Sequence, residues 1–437
     1  MTNNQQLLKE RNSQQKSTMN QQIIIIGAGA SGLMAAYELA KARQKVIVLE
    51  ASERIGGRMY TAVCDGFEQP LELGAEFVHG EQPITLALLK EAGVAYKPVK
   101  GKMLNNRKGK WSTQGEMIPD WDGIIQKMDS LNEDMTLAAF LQKHYSDDQH
   151  MELRFIIQDF AEGFDLADIA QASVFALKAE WENEHGQQYR IAGGYRKLAE
   201  HLHHLIEKYG GKIHHNTAVN EVKWMENEVT VFTADGQQFE GTKLVVTVSP
   251  RVLQDVKIKF NPALDGYLND LSQIGFGSVI KVFLQFEEPF WQEHEKNTGF
   301  VVSDQNIPTW WTQSDKENCL LTGWLGGPEV MPLITVSEEE IIDMGLQSLS
   351  NIYGIEKKKL RTILVASKAI HWTKEEWSMG GYSYSTLQSE TVRKLLRMPL
   401  DNTIFFAGEA LYEGRAPGTV EAALVNGQET ARKILQS

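Results

Sequence analysis

The chain has 437 residues, 42% hydrophobic and 23% charged, an ordinary composition for a soluble globular protein with room for roughly three domain equivalents. Its net charge of −13 disfavours nonspecific nucleic-acid binding and mildly attracts cationic ligands. Two cysteines, Cys64 and Cys319, exclude a disulfide scaffold and a Cys-rich metal site. Residues 1–20 are polar and rich in Gln, Asn and Ser, with no apolar core of a signal peptide. They read as a disordered tail, and a cytoplasmic location is expected. No apolar run of about 18 residues exists, so no span of a bilayer is expected.

The apolar run 23–26 breaks into Gly27-Ala28-Gly29-Ala30-Ser31-Gly32, residues 33–42 read as a helix, and a second apolar run, 46–49, ends in Glu50. Strand, glycine turn, helix, strand and acid together suit a dinucleotide. Gly27 makes the turn, Gly29 admits a pyrophosphate to the backbone, and Gly32 packs helix against strand. The helix start offers free N–H groups to phosphates. Glu50 lies 18 residues after Gly32, where a carboxylate accepts from ribose hydroxyls. Ala51-Ser52-Glu53-Arg54-Ile55-Gly56-Gly57-Arg58 follows, with a glycine pair and two arginines that suit either a phosphate or a salt bridge.

Residues 121–182 are mostly helical by periodicity, with Leu137, Phe140, Leu141, Leu153, Phe155, Ile156 and Phe160 on the apolar stripe. Gly193-Gly194 precedes a helix over 195–208, and 212–232 reads as a strand and hairpin. The runs 279–286 and 320–325 read as strands. Lys281 interrupts the first of these, which costs stability unless a group pairs with it; a strand-edge position is the cheaper explanation. A last helix follows Pro417-Gly418-Thr419, with Thr419 as its N-cap. His201, His203, His204, His214 and His215 invite a metal reading, but no ligand spacing completes a site, and no metal is expected. No GxSxG motif supports a nucleophilic serine.

Several of these segments, in order, resemble the flavin-containing amine oxidases, the family of monoamine oxidases, polyamine oxidases and amine-oxidase-like histone demethylases. The resemblance runs through residues 50–58, Leu71-Glu72-Leu73-Gly74-Ala75-Glu76-Phe77-Val78-His79-Gly80, 192–195, 216–219, 245–250 and 275–282, then 372–384, 405–409 and 417–421. It implies an α/β fold with an α+β substrate part. A discontinuous Rossmann-type FAD-binding domain (21–80, 190–272 and 395–437) would carry an inserted substrate-binding domain of sheet and helices (81–189 and 273–394). It implies FAD contacts from Gly27, Gly29, Ala30, Ser31, Gly32, Glu50, Ala51, Arg54, Gly56, Gly57, Arg58, Gly74, Ala75, Glu76 and Val219. Trp372, Gly408, Glu409, Thr419 and Val420 complete that set. Val219 would meet the adenine through its backbone, Glu409 the ribityl or pyrophosphate region, and Thr419 and Val420 the ring.

The resemblance also implies the chemistry. Lys281, Tyr382 and Trp372 would be the catalytic set, with Lys281 reaching flavin N5 through a water and Tyr382 taking a cage position. Phe77 and His79 stand where polyamine oxidases carry substrate contacts, a small tilt toward a polyamine or other extended amine. Glu76, Glu81 and Glu184 suit a cationic tail as well as solvent. The cysteine that binds flavin covalently in monoamine oxidases is replaced by Gly381, so noncovalent FAD is expected. Their C-terminal membrane anchor is expected to be missing, because Ser437 follows the last helix directly. The expected reaction moves a hydride from the carbon beside an amine nitrogen to flavin. The resulting imine hydrolyses, and O2 is the expected acceptor, giving H2O2, in a monomer or homodimer. The alternatives are a related flavin desaturase or porphyrinogen-type oxidase, which need neither Lys281 nor Tyr382, and a non-catalytic FAD-binding interaction protein.

Overall fold

The computed structural model describes residues 22–113, 118–183, 186–313, 318–414 and 416–437; the expected tail at 1–20 and Glu184 lie outside them. Gln22–Ile26 and Lys45–Leu49 are short β-branched runs that form parallel neighbours, Ile23 opposite Val46 and Ile26 opposite Leu49. The sheet they start has the order Lys212–His214, Lys45–Leu49, Gln22–Ile26, Lys243–Val246, Ile404–Phe406, and every pair is parallel. Parallel strands need crossovers that cover both faces. On one face Ala30–Lys41, Arg196–Lys208 and Val420–Gln436 share a core with Ile23, Ile25, Val46 and Val48. The alternate residues Ile24, Ile26, Ile47 and Leu49 pack against Val222, Val229 and Val231 of a second, four-stranded sheet. This Rossmann-type core is discontinuous, since three distant stretches of chain supply its strands.

A seven-stranded sheet forms the inserted part, in the order Leu364–His371, Val279–Phe286, Leu320–Gly326, Thr309–Thr312, Thr298–Ser303, Lys102–Arg107, Lys110–Ser112. Val279–Phe286 is flanked on both sides and buried at all eight positions. Lys281 is therefore in an interior strand, which removes the strand-edge explanation. Four helices, Trp121–Asp129, Leu137–His144, Met151–Gly163 and Val174–Asn183, build their own core around Phe140, Tyr145 and Trp181. The expected stripe on the third helix is partly corrected. Ile157 and Ala161 are the buried residues, while Phe155 is 56% exposed. The helix is apolar on more than one side, so periodicity alone does not choose its inward face.

Candidate active site

The glycine turn has the strain and openness its sequence predicts. Gly27 has φ +101°, a conformation side chains resist. A Cβ on Gly32 would lie 2.0 Å from the Gly27 carbonyl oxygen, so helix and turn could not close together with any larger residue. A Cβ on Gly29 would meet nothing within 4 Å, because Gly29 borders a cavity of about 850 Å³. The Ser31 hydroxyl, on the same wall, is buried and has no partner among the described residues. An orphaned donor beside free helix amides fits an anionic phosphate.

Glu50 does more than the sequence suggests. Its carboxylate accepts from the Ala28 amide at 2.7 Å and from the Ser52 amide and hydroxyl at 2.9 Å each. It braces the turn while bordering the cavity beside Ala51 and Val219. The second glycine pair is bridged to the first turn, Gly56 against Gly29. Of the two arginines, one takes the salt bridge among the described residues. Arg58 closes the salt bridge, with Nη1 3.0 Å from Glu409 and also 2.5 Å from the Gly381 carbonyl. Arg54 donates to the Gly57 carbonyl at 2.7 Å and stacks 3.7 Å over Tyr60. Glu409 accepts further from the Ser383 amide and hydroxyl at 3.0 and 2.6 Å. The Gly408 amide donates to Asn426 at 2.9 Å.

Lys281 is 1% exposed. Its Nζ donates to the Glu72 carbonyl at 2.6 Å, the Gly74 carbonyl at 3.1 Å and the Glu76 carboxylate at 3.1 Å. An ammonium has three protons, so these partners use its full donor set. Burial pulls its pKa below the usual lysine range, opposed by the Glu76 carboxylate. Burial pushes Glu76 upward, but Lys281 and Arg190 outweigh it and hold the carboxyl below its usual range. Arg190 donates to Glu76 at 3.0 Å and the Trp311 indole donates at 2.9 Å. Glu76 is thus the hub of a buried ionic cluster. Sequence reasoning missed that role, because its partners come from segments far apart in the chain.

Around this cluster the walls are aromatic. The Trp372 indole donates to the Leu73 carbonyl at 2.8 Å, and the Tyr382 hydroxyl donates to the Phe164 carbonyl. Phe77 packs on Trp311 at 5.5 Å and on Phe300 at 5.9 Å, and His79 meets Phe164 at 6.1 Å. His79 shows its remaining surface to the cavity, and burial drives its pKa down to about 4, so the ring is neutral at physiological pH. Thr419 caps the C-terminal helix, its hydroxyl oxygen accepting from the Ala422 amide at 3.1 Å.

One cavity brings together the expected catalytic, cofactor and substrate residues except Gly32, which packs behind the turn; Glu81 does not border it. It also gathers residues the sequence did not flag: Gln82, Phe164, Phe300, Trp311 and Trp324. The tryptophan pair at 310–311 was the available signal. Trp310 faces the core of the inserted sheet, so its neighbour Trp311 faces the opposite side, where the cavity lies. Among the described residues no cluster of His, Cys, Asp and Glu suits a metal ion, and no helix is long and apolar enough to cross a membrane.

Comparisons with known proteins agree with this geometry. The family model for flavin-containing amine oxidoreductases matches residues 30–435. Human amine oxidase [flavin-containing] B is 24% identical over 466 residues, covering 95% of this chain and 86% of that protein. Lysine-specific histone demethylase 1B of Mus musculus is 25% identical over 456 residues, and the chain spans about half of its length, 53%. Among solved structures, putrescine oxidase bound to putrescine superposes with a TM-score of 0.78 at 22% identity, covering 95% of this chain and 99% of that one. Cyclohexylamine oxidase from Brevibacterium oxydans superposes with a TM-score of 0.79 at 20% identity, with the same coverage.

Proposed function

The chain belongs to the flavin-containing amine oxidoreductase family, and from that premise we propose that it oxidises an amine using FAD held noncovalently in this cavity. The observation that carries the reading is the continuity of the cavity. It joins the glycine turn and Glu50 to Lys281, Tyr382 and the aromatic walls. The residues fit the cofactor. Gly29 leaves the backbone open, Ser31 holds an unused hydroxyl, and the C-terminal helix directs its positive end at the same space. Gly27, Ala30 and Ser31 would hold the pyrophosphate, Glu50 the ribose and Val219 the adenine. Neither cysteine borders the cavity and Gly381 precedes Tyr382, so no thiol is placed for a covalent link.

FAD supplies the acceptor for a hydride from the carbon beside the amine nitrogen. The chain's own residues prepare the amine. Phe164, Phe300, Trp311, Trp324 and Tyr382 exclude water, which disfavours an ammonium and favours the neutral amine whose lone pair assists the transfer. The face of Tyr382 orients the nitrogen. His79, neutral and 3.4 Å from the Gln188 carboxamide through Nδ1, adds an uncharged aromatic wall beside the substrate. The Lys281–Glu76 pair keeps a fixed dipole at the cavity wall and leaves no loose proton donor there. Residues 21–80, 190–272 and 395–437 form the cofactor part in this reading, and 81–189 and 273–394 the substrate part. O2 as acceptor, with release of H2O2, completes it.

The test is anaerobic mixing of the yellow protein with a panel of monoamines, diamines and polyamines. At least one amine is expected to bleach the flavin band, and admitting air should restore it with peroxide. A flavin that no amine bleaches would overturn the assignment. Bleaching reversed only by an artificial acceptor would retain amine oxidation and remove O2.

A further inference from the structure

Gln82 is fully buried, and both ends of its carboxamide, Oε1 and Nε2, have no hydrogen-bond partner among the described residues. Buried amides are almost always satisfied, and one bare at both ends costs the desolvation of two polar atoms. Its local setting does not explain it. Gln82 is the N-cap of Pro83–Glu91 but makes no capping bond with its side chain. The amides of Ile84 and Thr85 are served instead by Glu421, at 2.9 and 2.8 Å. Gln82 borders the cavity, which offers its carboxamide unfilled space.

The place is specific. Gln82 lies where the segment bearing Glu76, Phe77 and His79 meets the start of the C-terminal helix, since Glu421 of that helix binds the two residues after Pro83. The same segment carries Phe77 and His79, which pack on the aromatic walls of the cavity. Resting on the reading that FAD fills this cavity, we propose that Gln82 binds the pyrimidine edge of the flavin ring. The ring's other edge is a dimethylbenzene with no polar atoms. The pyrimidine edge is an imide that alternates C=O, N–H and C=O. A carboxamide has one acceptor and one donor group at matching spacing, so amide and imide satisfy each other in a paired contact. The positive end of the C-terminal helix favours carbonyl oxygens at the same edge. Gln82 is thus a residue whose polar atoms are costly in the apoprotein and satisfied in the holoprotein.

The experiment uses apoprotein of the wild type and of Gln82→Met, which keeps length and removes both polar atoms. Binding is read from quenching of flavin fluorescence and folding from thermal melting without flavin. The expected result is an apoprotein that melts at or above the wild-type temperature and binds FAD at least tenfold more weakly. The weakening should be the same for riboflavin, which has the ring but no pyrophosphate. FAD affinity within twofold of wild type would overturn the proposal. So would an apoprotein whose melting temperature falls, because that places Gln82 in the fold rather than at the ligand. Should Gln82→Met not fold, wild-type apoprotein with N3-methyl FAD decides. Binding at least tenfold weaker than FAD is expected, and equal binding overturns the proposal. A wild-type protein that binds no FAD at all would instead refute the cofactor reading itself.

Discussion

Lys281 shows how a single residue's setting decides its use. A lone ammonium in an interior strand is prohibitive, and Lys281 is tolerated because Glu76 and two carbonyls take its three protons. We predict that Lys281→Met keeps its FAD, since Glu76 still has Arg190 and Trp311. Its flavin reduction by amine, or its reoxidation, should slow by about 100-fold or more, through loss of the fixed charge at the cavity wall. Stopped-flow absorbance measures both steps, and unchanged rates would remove Lys281 from the mechanism. Glu72, which lends Lys281 its carbonyl, adds a pH effect. Burial raises its carboxyl to about 7, against the Thr61 hydroxyl that pulls it down. The native group therefore stays protonated while the unfolded chain ionises near 4.5. That stabilisation is present below pH 4.5 and is lost as pH rises through about 7. Its full size is about 3 kcal/mol. Glu72→Gln should have nearly the wild-type pH trend below this window and gain on wild type across it. Urea unfolding at pH 4.5 and pH 8 reads the difference, and an equal gap at both would refute it.

At the scale of elements, the cavity is assembled by helix ends. Glu421, in the first turn of Val420–Gln436, is buried and reaches across to the amides of Ile84 and Thr85 and to the Thr85 hydroxyl at 2.7 Å. One carboxylate thus serves the start of its own helix and the orphan amides of another. Because Thr419 and Val420 precede it, this tie also sets the wall on which the flavin would lie. Glu421→Ala should cost about 3 kcal/mol of stability, from several buried donors left bare. Glu421→Gln should cost less, since its oxygen still accepts. Urea melts rank the three proteins, and a neutral Glu421→Ala would show that water serves those amides equally well. The interior strand Val279–Phe286 works the same way, since neighbours on both sides fix the direction of Lys281.

For the whole molecule, a large cavity lined by both the Rossmann core and the inserted sheet makes stability depend on what fills it. FAD at about 100 times its dissociation constant should add about 2.7 kcal/mol. Melting temperature should therefore rise with added FAD and fall on its removal. Acid precipitation should release all yellow colour into the supernatant, and colour kept in the pellet would refute noncovalent binding. Much of this fold was readable along the chain, because its signals are local. The strand, glycine turn, helix and acid from 22 to 50 depend on short-range sterics and periodicity, and so does the cap at Thr419. The apolar run around Lys281 announced a buried strand on the same terms. The cluster of Glu76 with Lys281, Arg190 and Trp311 was not readable, since these partners lie 114 to 235 residues from Glu76. Nor were the orphaned carboxamide of Gln82 and the outward face of Phe155. Which charges meet, which amide is left bare and which side of a helix is covered are properties of packing. Composition and spacing determine what kind of element forms, whereas only the folded chain decides which distant side chains lose their water together.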